Sequence, residues 1–242
     1  MKKVYLTGIT GTVAPYIKEA LLLNGFIVND KHIRINKNED ILNLKSYLEL
    51  IEPDLIIHAA LGPLEVVEMF ATYAKANNIG FIYISTVSVY QDNEGGPYYI
   101  EDEIKVKNEY GLYKYNGEQR ALAINPNAHI IRLGWQISPI ADSTTNNMFK
   151  FIKDNTDQQN NINVSDEFYP SVSFLDETAA AIIKIINKPA GLYLVNGNHQ
   201  YSLFEIISIL KKKFNLDINV VKDNTFKRND IMIDNRIKVN LF

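Results

Sequence analysis

Short runs that are apolar at nearly every position recur along this chain, and between them lie stretches whose apolar residues fall at three- and four-residue steps. Residues 3–7 form the first such run, and the helical pattern after it places Val13, Ile17 and Leu21 on one face, with Ala14 and Leu22 beside it. Pro15 sits in the first turn of that helix, where its missing N–H costs nothing, and Gly25 supplies a stop. The alternation continues with a strand at 26–30, a helix at 40–50 ended by Glu52-Pro53, a strand at 54–60, a helix at 65–77 and a strand at 81–86. A short alternating piece, Ile33 to Ile35, could form a third strand. Strands that are apolar on both faces and separated by helices predict a doubly wound α/β fold, a parallel sheet covered on both sides.

Residues 91–107, rich in Gly, Pro, Asp and Glu, read as a loop, followed by a helix over 109–123 and a strand over 128–134. Beyond Ser138 the chain turns polar and Asn-rich as far as Asn163, a composition suited to a surface lobe or lid. A helix is expected over 176–186, a strand over 191–195, and an amphipathic helix over 202–214 that Ser202 and Glu205 open as a capping box. With 242 residues and roughly 150 per domain, the expectation is one domain with room for a smaller lobe.

The chain carries 46% apolar and 22% charged residues, enough to bury a substantial core. Its net charge of −3, without basic blocks, excludes an electrostatic footprint for nucleic acid or an anionic membrane. Cysteine is absent, so disulfides, thiolate metal sites and a Cys nucleophile are excluded and a reducing cytoplasm is the expected compartment. Only Val4-Tyr5-Leu6 separates Lys3 from Thr7-Gly8, too little for a signal segment, and no run has the length of a membrane span.

Gly8-x-x-Gly11-x-x-Ala14 lies between the first strand and the first helix. Glycines there let backbone approach a pyrophosphate, and the helix N-terminus offers unpaired N–H groups. Asp30, at the end of the second strand, is placed to accept from adenosine ribose hydroxyls, whereas Lys31, His32 and Arg34 are placed to pair with a 2′-phosphate, so NAD and NADP both stay open. Tyr110 and Lys114, four apart, share one helix face. The Lys114 ammonium is expected to lower the Tyr110 phenol pKa and to bind the nicotinamide ribose, while Tyr110 passes a proton to a carbonyl oxygen that the Thr86 hydroxyl holds. Tyr113 and Tyr115 read as packing or surface residues. His58 ends a buried strand and reads as a satisfied core or near-cofactor group, and His32, His129 and His199 lack metal spacing, so no metal is expected. Glu101-Asp102-Glu103 reads as a solvated acidic loop.

Several motifs run in one order: Thr7-Gly8-x-x-Gly11-x-x-Ala14, Pro53-Asp54-Leu55-Ile56-Ile57-His58-Ala59-Ala60, Ser85-Thr86-x-x-Val89-Tyr90, Tyr98-x-x-Glu101-Asp102, Tyr110-Gly111-x-x-Lys114 and Ile131-Arg132-Leu133-Gly134-Trp135. In these the chain resembles the extended short-chain dehydrogenases of the NAD-dependent epimerase/dehydratase type. It is most similar to the dTDP-4-dehydrorhamnose reductase branch, which it also resembles at Tyr169-Pro170-Ser171, Gly191-Leu192-Tyr193 and Asp234-Asn235-Arg236-x-Lys238. That resemblance implies a Rossmann-like core over about 1–137 and 172–196, with a small C-terminal substrate-binding lobe over about 138–171 and 197–242. It implies Thr86, Tyr110 and Lys114 as catalytic residues. Around NAD(P)H it implies Gly8, Thr10, Gly11, Thr12, Val13, Asp30, Lys31, Ala59, Ala60 and Leu61, and toward a nucleotide-sugar substrate Thr86, Val87, Trp135, Tyr169 and Arg236. The implied activity is reduction of a nucleotide-activated 4-keto-6-deoxy sugar in polysaccharide biosynthesis. An epimerase or dehydratase of the same fold and a non-catalytic dinucleotide sensor are the alternatives, and a homodimer is left open. This chain departs from the branch in having Val87 where an Asp usually follows the catalytic Thr, and in a short connector between His58 and Ser85.

Overall fold

In the computed structural model, residues 1–35, 38–91 and 95–242 are described. Strand β1 (Lys3–Thr7) leads into α1 (Ala14–Leu23), and the alternation repeats through β2 (Ile27–Asn29), α2 (Asn38–Ile51), β3 (Leu55–His58), α3 (Leu64–Ala76) and β4 (Gly80–Thr86). A 3-10 turn at Val87–Tyr90 precedes α4 (Glu109–Ile124) and β5 (His129–Leu133). The rest comprises β6 (Trp135–Ile137), α5 (Met148–Asn155), β7 (Asn161–Ser165), β8 (Phe168–Tyr169), β9 (Val172–Phe174), α6 (Leu175–Ile185), β10 (Gly191–Val195), α7 (Leu203–Phe214), β11 (Asn219–Asp223) and β12 (Arg228–Asn229). Part of the expected 91–107 loop, residues 92–94, lies outside the described residues.

Six strands form one parallel sheet in the order β10-β5-β4-β3-β1-β2. Side chains alternate along each strand, so one face carries Val4, Leu6, Ile57, Ile82, Ile84 and Ile131 against α1 and α6. The other carries Tyr5, Ile56, Phe81, Tyr83 and Ile130 against α2, α3 and α4. This is the doubly wound arrangement that the apolar runs predict. Strand order reverses at β1, with β2 on one side and β3 on the other, so the carboxyl ends of β1 and β3 flank the crevice where open α/β sheets bind ligands.

Ile33 to Ile35 does not form a strand. Both isoleucines are instead packed against the cluster under α2, so their apolar character is satisfied by side-chain packing without a backbone ladder. The Asn-rich stretch from Ser138 to Asn163 contains α5 and the start of β7, and with the rest of β7, α7, β9 and β11 it encloses a third apolar cluster around Phe149, Ile152, Ile162, Ile206 and Leu210. The capping box at Ser202 and Glu205 forms and opens α7. Among the described residues no helix is long and apolar enough to cross a membrane.

A buried charge cluster ties α4 to the sheet. The Glu118 carboxylate accepts from Arg132 Nε at 3.0 Å and Nη2 at 2.6 Å, and from the Ser85 hydroxyl. Arg132 Nη1 reaches the Tyr90 hydroxyl at 2.5 Å, and Tyr90 stacks on Tyr98 with ring centroids 4.4 Å apart. Breaking such a pair strands a buried charge, which costs about 3–5 kcal/mol. Glu118→Gln and Arg132→Met should each lower stability by about that much in urea titrations, and the combined Glu118→Leu/Arg132→Met variant should lose less than the sum. Single variants with unchanged midpoints would mean that the pair does not anchor α4.

Candidate active site

At the carboxyl ends of the strands the chain encloses a cavity of about 900 Å³, and a second of about 260 Å³ shares Gly8, His32, Ala60 and Leu61 with it. Gly8 forms the floor at the sheet's reversal point. Its φ is +86°, and a Cβ there would stand 2.7 Å from the Ala59 carbonyl oxygen, so only glycine lets β1 turn this close to β3. The Gly11 N–H donates to the Gly8 carbonyl at 2.8 Å, closing the turn. Among the described residues the α1 N-terminus that follows has no side-chain cap, as is also true of α3 and α6, whereas α4, α5 and α7 are capped, and Thr10, Gly11, Thr12 and Val13 leading into α1 line the cavity. A glycine cradle and an uncapped helix end suit a phosphate-bearing ligand.

Thr86 ends β4 in extended backbone and caps the 3-10 turn, its hydroxyl accepting from the Ser88 N–H and donating to the Ser88 hydroxyl, both at 3.2 Å. Asn108 starts α4 by accepting from the Gly111 N–H at 2.7 Å, and its amide donates to the Ser88 carbonyl at 3.2 Å. A Cβ on Gly111 would collide with that same carbonyl, so glycine beside Tyr110 is what lets α4 begin against the Thr86 turn. Tyr110 and Thr86 therefore face each other at the mouth of one cavity, with Lys114 one helical turn deeper.

Lys114 is buried. Its ammonium donates to the Ile84 carbonyl at 2.9 Å and lies 5.0 Å from the Tyr83 ring centre. Burial pushes its pKa down to about 8, although Glu118 one turn further along pulls it back up. The expected lowering of the Tyr110 phenol by Lys114 is not what the geometry gives. Burial holds Tyr110 above its usual value and the Thr86 hydroxyl draws it down, because the ammonium is turned toward backbone rather than toward the phenol. His58 is buried, its Nδ1 is 2.8 Å from the Thr7 hydroxyl, and burial together with the Lys114 charge holds its pKa down at about 3. Its Nε2 and the Tyr83 hydroxyl, both buried, have no hydrogen-bond partner among the described residues.

The structure brings most of the expected residues together. Gly8, Thr10, Gly11, Thr12, Val13, Ala59, Ala60, Leu61, Thr86, Val87, Tyr110, Lys114 and Trp135 line the larger cavity, and Asp30 and Lys31 the smaller. Asp30 is already paired with Lys18 at 2.7 Å, and the Lys31 ammonium lies over the Tyr47 ring, so neither projects an unengaged charge. Tyr169 and Arg236 do not line the cavity. In the two-residue strand β8 neighbouring side chains take opposite faces, and Phe168 is the one that reaches it. Arg236 lies over the Tyr193 ring, pairs with Asp234 at 2.8 Å and donates to the Leu192 carbonyl, back toward the amino ends of the strands.

The arginine that does line the cavity is Arg228, with Phe226 and Asp230 beside it. Its guanidinium bonds the Asp230 carboxylate at 2.6 Å, the Tyr90 carbonyl at 3.0 Å and the Tyr98 hydroxyl at 3.0 Å. No local pattern marks Arg228 in the sequence, because the parallel pairing of β12 with β8 across some sixty residues puts it there. Among the described residues no group of three or more His, Asp or Glu side chains is arranged to hold a metal ion.

Residues 64–229 match the family model described as the RmlD substrate binding domain. The chain is 22% identical to the spore coat polysaccharide biosynthesis protein SpsK of Bacillus subtilis (strain 168), in an alignment covering 93% of this chain and 84% of that protein. Its fold is that of the dTDP-4-dehydrorhamnose reductase from Bacillus anthracis str. Ames in complex with NADP, with a TM-score of 0.83 at 20% identity over 99% of this chain and 94% of the other. The dTDP-4-dehydrorhamnose reductase from Clostridium acetobutylicum aligns with a TM-score of 0.79 at 19% identity over 97% and 90% of the two chains. The Bordetella bronchiseptica enzyme WbmH in complex with NAD+ gives 0.76 at 17% identity over 97% and 89%. Because the matched family model spans more than half of its length, the chain belongs to the RmlD substrate binding domain family.

Proposed function

We propose that this chain is an NAD(P)-dependent reductase of a nucleotide-linked 4-keto sugar, with Tyr110 as the proton donor. The observation that carries this reading is that Thr86, Tyr110 and Lys114 share one cavity with the glycine turn of residues 8–11 and with the aromatic and cationic wall of Trp135, Phe168, Phe226 and Arg228. The described residues suit a dinucleotide, since the space a Gly8 Cβ would need is taken by the Ala59 backbone and the α1 N-terminus has no side-chain cap. Membership of the family and the NADP and NAD+ complexes of proteins with this fold support the same cofactor class. The flat faces of Trp135, Phe168 and Phe226 suit a base and sugar, and Arg228 suits a diphosphate.

When bound, the reduced nicotinamide supplies the hydride. The chain does the rest by placing the keto oxygen against the Tyr110 hydroxyl, with the Thr86 hydroxyl as a second donor. A phenol held above its usual pKa stays protonated at neutral pH and keeps the proton ready. As that proton passes to the carbonyl oxygen, the phenolate left on Tyr110 is stabilised by the Thr86 hydroxyl, the group that already draws the phenol pKa down. Val87 follows Thr86, so no carboxylate adjoins the catalytic hydroxyl to assist elimination. Among the described residues the carboxylate lining this cavity is Asp230, which is engaged by Arg228.

Reduction leaves the hydride on the sugar. Mixing the protein and reduced cofactor with a panel of dTDP-, GDP- and CDP-4-keto-6-deoxy sugars should consume nicotinamide absorbance in step with product, whereas product formed without such loss would establish an epimerase. Tyr110→Phe should keep cofactor binding but lower turnover by about 10²-fold or more, and near-normal turnover would remove Tyr110 from the role of donor. Because the folded Lys114 ammonium titrates at about 8, cofactor affinity in the free protein should be full below that pH and weaken as pH rises through it. Calorimetric titration from pH 6.5 to 9.5 reads this, and a flat profile would show that the Lys114 charge does not hold the cofactor.

A further inference from the structure

Tyr113, next to Lys114 on α4, makes two hydrogen bonds with one residue of the loop that follows β3. Its hydroxyl donates to the Gly62 carbonyl at 2.8 Å and accepts from the Gly62 N–H at 3.0 Å. Gly62 follows Ala59, Ala60 and Leu61 in the loop that leaves β3, and this loop lines both cavities. At its far end the Pro63 carbonyl accepts from the Val66 N–H at 3.1 Å. A Cβ at Gly62 would meet nothing within 4 Å, Pro63 gives α3 no side-chain cap, and among the described residues the Tyr113 hydroxyl is the side-chain group bonded to the backbone of residues 60–63. Leu61 stands 66% exposed at the junction of the two cavities, an apolar side chain that a bound ligand would cover.

We propose that Tyr113 is a positioning residue that latches the 60–63 loop to α4 and so presets the wall against which the cofactor binds. The proposal rests on the nicotinamide reading above. Three side chains then tie the catalytic helix to the cofactor side of the sheet. Asn108 holds the turn after β4, Lys114 holds the Ile84 carbonyl, and Tyr113 holds the loop after β3. The Tyr113 ring also lies 5.9 Å from the Lys114 ammonium, so the latch stands beside the catalytic cation. A preset loop lowers the ordering cost of binding, so its loss is read in affinity rather than in the chemical step.

Tyr113→Phe removes the hydroxyl and keeps the ring, which separates the latch from packing. Hydrogen exchange of the cofactor-free protein should show faster exchange at the Gly62 amide and its neighbours, with protection elsewhere in α3 and α4 unchanged. Calorimetry should show NADH and NADPH bound about 3- to 10-fold more weakly, the scale of one or two lost hydrogen bonds, with kcat at saturating cofactor within about twofold of the unaltered protein. Tyr113→Leu, which also removes the ring, should weaken binding further. A Phe variant with unchanged exchange at Gly62 and unchanged affinity would overturn the latch. If the unaltered protein bound neither nucleotide, the nicotinamide reading and the cofactor role of the loop would fall together, while the exchange result alone would still decide whether Tyr113 holds the loop.

Discussion

Glu118 stands two helical turns beyond Tyr110 and one beyond Lys114, and its buried carboxylate is where three elements meet. It accepts from Ser85 at the end of β4 and from Arg132 in β5, both 5% exposed or less along with Glu118 itself. A carboxylate and a guanidinium taken from water persist only when their hydrogen-bonding capacity is met nearly in full, so the geometry of this group is tightly specified. Its position sets the rotation of α4, and that rotation decides which side chains look into the cleft. The same cluster runs on through Tyr90 and Tyr98 to Arg228, joining α4 to the C-terminal wall of the cavity. Helix, sheet and lobe are thereby held in one register.

The opposite side of the cleft is governed by sterics. Gly8 at positive φ, pressed against the Ala59 carbonyl, lets the ends of β1 and β3 close on each other at the reversal point of the sheet. Between these two rigid features lie two segments that line the cavity. They are the Thr86 turn, capped by its own hydroxyl, and the loop after β3, tied to α4 by Tyr113. Lys114 is shared by both sides, since its ammonium takes its partner from β4 while its charge acts on His58 in β3 and is itself supported by Glu118.

How much of this was legible depended on whether the signal was local. The glycine turn, the Tyr110 and Lys114 spacing and the Ser202 capping box are patterns within a few residues of one another, and each stands in the structure where its pattern puts it. Ile33 to Ile35 had the alternation of a strand, but alternation reports only that two side chains seek burial, and packing under α2 satisfies that without a ladder. The Asn-rich stretch after Ser138 hides its apolar positions, Met148, Phe149, Ile152, Ile162 and Val164, among polar ones, and they become a core only when α7 and β11 cover them. Arg236 and Arg228 are eight residues apart with similar neighbours, and nothing local distinguishes the one that faces the cavity.

The sequence by itself determined the doubly wound sheet, the tight glycine turn at its centre and the placing of Tyr110 and Lys114 one turn apart on a single helix, because strand apolarity, glycine stereochemistry and four-residue helical spacing are short-range constraints. Tertiary structure alone decided the rest. The pairing of β12 with β8 placed Arg228 in the wall, the burial of Lys114 against the Ile84 carbonyl turned its charge from the phenol and lowered its pKa, and the approach of α4 to β3 joined Tyr113 to Gly62. Each of these depends on desolvation or on contact between segments far apart in the chain, and both are properties of the packed molecule that no window along the sequence contains.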